Sequence, residues 1–289
     1  MIVKPFGFFK TGAGPFDFVF TEKLTNIGSD GSEGPAFSSA RNDDMTYNSV
    51  SDTFFVIADG GSTDTYHYDY EYPAKTGAYV GKANPGFSNR GIVWNGTEYI
   101  ESYFQNLSGT KENPTLAAKY DQNTAGTGSF DINGTTNILG GSGEFRGLAY
   151  DDVNNVYAML DQSGNKVKFR TGLTQTDPYG DLTTVQNKPT GVAFSKTYNK
   201  MFVTFRDLNI DGDGLIEMYD YDFDNPAQPD NRTDLIMSAS DIGSAGGNVF
   251  RIGGCAIDDS RNNLIVLHNN AGSGTTQDKS EGFVYSLDG

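Results

Sequence analysis

The sequence predicts an all-β fold, a five-bladed β-propeller closed by an N-terminal strand, on three observations. One short phrase recurs five times along the chain, two further strand-like runs follow each copy, and apolar spacing of helical period is nearly absent.

The phrases are Asp44-Met45-Thr46-Tyr47, Gly91-Ile92-Val93-Trp94, Gly147-Leu148-Ala149-Tyr150, Gly191-Val192-Ala193-Phe194 and Gly254-Cys255-Ala256-Ile257. They begin about fifty residues apart, the range in which repeats build propellers or solenoids. Each is a short apolar run with a small residue inside it (Thr46, Val93, Ala149, Ala193, Ala256), which suits crowding around an axis. Second strands are predicted at 53–58, 99–104, 156–160, 201–205 and 264–267, rich in β-branched and aromatic residues. Turn residues such as Asn48-Ser49, Asn95-Gly96 and Asp151-Asp152 separate them from the phrases.

Third strands are predicted at 66–72, 115–121, 166–170, 215–222 and 282–287, and fourth strands at 78–81, 132–139, 182–185 and 235–239. The fifth copy has no fourth strand of its own. Phe16, Phe18 and Phe20 alternate with Asp17 and Val19, so residues 16–22, or failing those 2–9, are expected to complete the last blade. The chain therefore reads as one domain, with a closure segment over 1–37 and five repeats over 38–289.

Charge excludes some partners. With 21 Lys and Arg against 37 Asp and Glu, the net charge of −16 argues against nucleic acid and against anionic membranes. A single cysteine, Cys255, allows no disulfide within the chain and reads as a small buried residue. No apolar stretch reaches the length of a membrane span, and Met1 to Pro5 lead into aromatic sequence without the pattern of an export signal.

The sharpest chemical motif runs from Asn209 through Asp211, Gly212 and Asp213 to Leu215 and Glu217. Oxygen side chains at alternate positions, with Gly at the sharp turn, are what a calcium loop needs. The motif resembles the calcium loops between propeller strands of integrin α-subunits and, less closely, those of dockerins. By that resemblance Asn209, Asp211, Asp213 and Glu217 would supply side-chain oxygens and Leu215 a carbonyl, with Asp220 as the substitute for Glu217. An acidic turn without metal is the other reading.

Arg41, Arg90, Arg146 and Arg251 each precede a phrase by one to three residues, which in a closed ring would bring them to one mouth of the channel. Guanidinium forks there could hold an anionic ligand group. Alternatively, they bond acids such as Asp43 and Glu144 and knit the blades together.

Five-bladed propellers include glycoside hydrolases, which need paired carboxylates near the axis. Here the aligned strands offer only Asp43 or Asp44 and Glu144, so no catalysis is expected. Composition, rich in Gly, Asn, Thr, Tyr and Phe, resembles that of bacteriophage virion proteins. That resemblance implies a tail, fibre or capsid-decoration component, whose partners would be other virion proteins or a host-surface glycan. An extracellular lectin or adhesin, with Tyr66, Tyr68, Tyr70 and Tyr72 stacking on sugars, is the alternative.

Overall fold

A computed structural model describes residues 16–25, 27, 41–59, 65–83, 88–104, 116–121, 131–137, 145–207, 209, 211–242, 252–268 and 281–288. Their strands form five four-stranded antiparallel sheets, and the fold is an all-β β-propeller. The first sheet holds β2 (Arg41–Asn48), β3 (Thr53–Asp59), β4 (Thr65–Glu71) and β5 (Thr76–Ala83). The second holds β6 (Ser88–Trp94), β7 (Tyr99–Phe104), β8 (Leu116–Asp121) and β9 (Asp131–Asn137). In the third are β10 (Phe145–Asp151), β11 (Val156–Asp161), β12 (Lys166–Thr171) and β13 (Leu182–Thr183). The fourth comprises β14 (Pro189–Ser195), β15 (Lys200–Phe205), β16 (Gly214–Asp220) and β17 (Asp230–Met237), followed by the short helix α1 (Ala239–Ile242).

The fifth sheet takes its strands from both ends of the chain. β18 (Ile252–Asp258), β19 (Asn263–His268) and β20 (Gly282–Ser286) form a meander, and β1 (Val19–Leu24) pairs with β20. Residues 2–9, the other expected donor, lie outside the described residues.

The innermost strands β2, β6, β10, β14 and β18 touch one another in a closed cycle. Each carries a register shift as it nears the axis, between Asn42 and Asp44, Asn89 and Gly91, Arg146 and Leu148, Pro189 and Gly191, and Ile252 and Cys255. Such bulges bend a strand and increase its twist.

Fourth strands differ most from expectation. β17 begins at Asp230 rather than 235 because its first half, Asp230 to Asp234, is polar and exposed. Hydrophobic patterning registers only its buried end.

Apolar side chains pack between sheets rather than into one central mass. Phe169, Val192, Val203 and Tyr221 join the third and fourth sheets, while Phe202, Met218, Val266 and Phe283 join the fourth and fifth. Phe16, Phe18 and Phe20 wedge into the latter seam, with Phe18 stacked 4.3 Å from Tyr285. Leu24 and Ile27 enter the seam between the fifth and first sheets, where the face of β4 carrying Tyr66, Tyr68, Tyr70 and Tyr72 is packed. Tyr72 donates to Glu22 at 2.9 Å and Tyr70 to the Thr25 carbonyl at 3.3 Å, so these tyrosines serve packing rather than an open sugar platform. No helix among the described residues is long and apolar enough to cross a membrane.

Because β1 grips both neighbouring seams, Phe18→Ala is expected to cost about 2 kcal/mol, or roughly 4–8 °C in Tm. Removing residues 1–24 should cost far more, and an unchanged melt would rule out β1 as the clasp.

Candidate functional site

The inner strands fix the site by what they place at each level of the axis. Gly91, Gly147, Gly191 and Gly254 occupy equivalent positions in four sheets, and Asp44 takes that position in the first. A Cβ on Gly191 would lie 2.7 Å from the Gly254 Cα, and one on Gly254 only 1.8 Å from the Asp44 Oδ1. Asp44 is fully buried, and its Oδ2 accepts from the Ile92 amide at 3.0 Å and the Leu148 amide at 3.2 Å. This crossing closes the channel.

Toward the C-terminal ends of the inner strands the ring widens. Met45, Leu148, Val192 and Cys255 form the next level, then Thr46, Val93, Ala149, Ala193 and Ala256, around a cavity of about 120 Å³. Tyr47, Trp94, Tyr150, Phe194 and Ile257 surround its opening into an outer bowl of about 350 Å³, within the size range of small-ligand sites. Ser49, Asn95, Asp152, Lys196, Asp259 and Ser260 supply the polar rim. The result is a blind funnel, ringed by aromatic side chains where the inner cavity opens and carrying polar side chains at its lip.

Side-chain bonds at the lip join consecutive sheets. Asn48 Nδ2 donates to Tyr99 Oη at 2.7 Å, Asn95 Nδ2 to Tyr157 Oη at 3.1 Å, Tyr221 Oη to Asp151 Oδ2 at 2.6 Å, and Ser195 Oγ to Asp259 Oδ1 at 2.5 Å. Arg261 closes the circuit from the fifth sheet to the first, donating to both oxygens of Asp52 at 2.8 and 2.6 Å. Burial pushes the Tyr157 hydroxyl up to about 12, and it raises the Tyr221 hydroxyl further, with Asp151 adding to the rise, so both stay neutral donors or acceptors. Deeper between the first two sheets, His67 Nε2 and Glu101 Oε1 meet at 2.5 Å with both side chains fully buried.

The expected arginine mouth lies at the other end of the inner strands. Arg41, Arg90 and Arg146 sit near the starts of β2, β6 and β10, and Arg146 is buried rather than open to a ligand. Arg251 lies outside the described residues, and Arg41 and Arg90 are placed by their backbone alone.

The expected calcium donors are divided between two places. Asn209 Oδ1 accepts from the Asp211 and Asp213 amides, each at 2.9 Å, and Asp213 Oδ1 accepts from the Ala239 amide at 2.7 Å. Leu215 has already entered β16. Glu217 lies apart from the loop: it is fully buried, and its carboxylate takes the Val185 and Gln186 amides, Tyr219 and Arg232. Its substitute Asp220 is held by Lys200 and by Asn231 at 3.0 Å. No cluster of three acid, imidazole or thiol side chains suited to a metal occurs among the described residues. With Asn209 Oδ1 and one Asp213 oxygen already accepting main-chain amides, calcium titration decides between an ion site and an acidic turn. No saturable heat and no rise in Tm at millimolar calcium would leave the turn metal-free. A rise abolished by Asp213→Ala would restore the ion.

The Arg261 fork, assisted by Tyr47, holds the Asp52 carboxyl down at about 2. A depressed acid stabilises the fold above its ordinary pKa near 4, and that contribution fades as pH falls through about 2. In calorimetric melts, the Tm difference between the wild type and Asp52→Asn should be full at pH 5 and narrow as pH drops toward 2.

No protein-family model and no curated protein matches the chain. Among solved structures, the tail fibre of Staphylococcus aureus phage P68 is similar at TM-score 0.57 and 11% identity, over 94% of this chain and 53% of that one. The periplasmic gluconolactonase of Pseudomonas aeruginosa is similar at TM-score 0.46 and 14% identity, over 87% and 75%. A β-propeller domain from Myceliophteria thermophila follows at TM-score 0.40 and 11% identity, over 82% and 66%. At these identities the likeness extends to the fold, and the chain spans about half the length of the tail-fibre chain.

Proposed function

We propose that this chain is a non-catalytic binding module, a five-bladed propeller latched by its N-terminal strand, serving in a virion appendage such as a tail, fibre or capsid decoration. The blind axial funnel carries this reading. It is a preformed concavity in a ring bonded at every joint, so a partner meets a surface that loses little freedom on binding. The likeness to a phage tail fibre over nearly the whole chain and the virion-like composition support the setting.

The polar lip favours binding over catalysis. Its two carboxylates, Asp152 and Asp259, are engaged by Lys196 and by Ser195 with the Lys196 amide, whereas glycoside cleavage needs one acid free to protonate and another free to attack or activate water. The partner is a host-surface polymer or another virion protein within a larger assembly. An extracellular lectin would use the same funnel, and the rim hydroxyls and amides of Ser49, Asn95 and Ser260 favour that second reading.

Labelled protein is expected to bind bacterial envelopes or an immobilised glycan, with at least about a tenfold loss in Trp94→Leu, as expected for an interface anchor. Turnover of a glycoside or lactone that Asp259→Asn abolishes would make the chain an enzyme instead.

A further inference from the structure

Building on the funnel as the binding site, we propose that its throat is an aromatic cage for an alkylated ammonium group, such as the trimethylammonium head of choline. Tyr47, Trp94, Tyr150 and Phe194 stand at one inner-strand position in four consecutive sheets, and all four line both the inner cavity and the outer bowl. A cation over aromatic faces is attracted by the ring quadrupole, and the attraction grows as water is excluded. Each ring is backed by another from its own sheet, Tyr47 by Phe54 at 5.2 Å, Trp94 by Tyr99 at 4.8 Å, Tyr150 by Tyr157 at 4.6 Å and Phe194 by Tyr221 at 4.6 Å. The rings are thus braced outward and leave the opening between them clear.

The side-chain oxygens of the throat are engaged by the chain itself. Tyr47 Oη turns away to Asp52 at 2.6 Å and Tyr150 Oη to Asn155 at 3.1 Å, while Thr46 Oγ1 accepts from the Trp94 amide at 3.0 Å. Trp94 Nε1 is a buried side-chain donor without a hydrogen-bond partner in the described residues. A quaternary ammonium has no N–H and asks for no partner.

Charge selects in the same direction. Asp152 and Asp259 stand at the lip, the one lysine there is paired with Asp152, and the chain carries a net −16. On the axis below, the Asp44 carboxyl is three residues from Tyr47, about 10 Å along the strand. An anionic head group would meet this field unfavourably, and a cationic one favourably.

Titration calorimetry with choline, its neutral isostere 3,3-dimethylbutan-1-ol, and glucose tests the assignment. Choline should bind saturably and about tenfold more tightly than the isostere. Phe194→Leu should weaken choline binding several-fold at unchanged Tm, and Tyr150→Phe, which keeps the ring, should retain it. Equal affinity for choline and the isostere, or no saturable choline binding, would overturn the cage. In that event, envelope or glycan binding still lost in Trp94→Leu would leave the funnel standing as a binding site, whereas loss of both kinds of binding would take the functional reading with it.

Discussion

Where five inner strands converge there is no room for side chains at the crossing level, and the rest of the molecule is arranged around that shortage of space. Glycine fills four of the five positions, each close enough to the next that an added Cβ would strike main chain or a carboxylate. The fifth position is Asp44, whose side chain occupies the axis itself and receives amides from two other sheets. One carboxyl thereby replaces the main-chain contact a fifth glycine would make, and it satisfies two buried donors. Above this knot the strands diverge, and the aromatic residues at the last level of four of them rim the mouth of a cone.

A cone of this kind keeps its shape only if the ring cannot open. Each sheet buries its apolar side chains against its neighbours, and a single failed seam would expose two faces together. The junction where the ring closes is the vulnerable one, since β1 and β20 are held together by pairing and packing and not by a direct chain connection. Three features meet there: the pairing of β1 with β20, the phenylalanine and leucine wedges from the same segment, and the Arg261 fork on Asp52. Surface ion pairs contribute little by themselves, so the apolar wedges carry most of the closure and the fork sets register at the lip.

Much of the fold was legible because its period is written in the phrases themselves. Each phrase pairs a small residue at the axis with an apolar neighbour, a combination imposed by geometry and so repeated in every sheet. The site was less legible. The aromatic column of Tyr47, Trp94, Tyr150 and Phe194 closes four of the phrases, yet alternation alone cannot say which end of a strand faces an open mouth. Attention to charge pointed instead to the arginines, at the opposite end. Glu217 fitted a calcium pattern by local spacing, but its partners Val185 and Gln186 lie in the connection between β13 and β14, some thirty residues away. Short-range motifs do not record contacts of that kind. The first half of β17 escaped notice for a simpler reason, since a solvent-facing strand edge carries no apolar signal.

The pairing of Val19 with Ser286 places the entry and exit of the folded body side by side, with the Asp17 amide on the Leu287 carbonyl at 3.0 Å. A ring whose two ends leave from one spot can be spliced into a loop of a longer polypeptide without that polypeptide having to span its diameter. Because the two flanks leave from the same end of an antiparallel ladder, drawing them apart loads β1 and β20 at that end and peels them open one bond at a time.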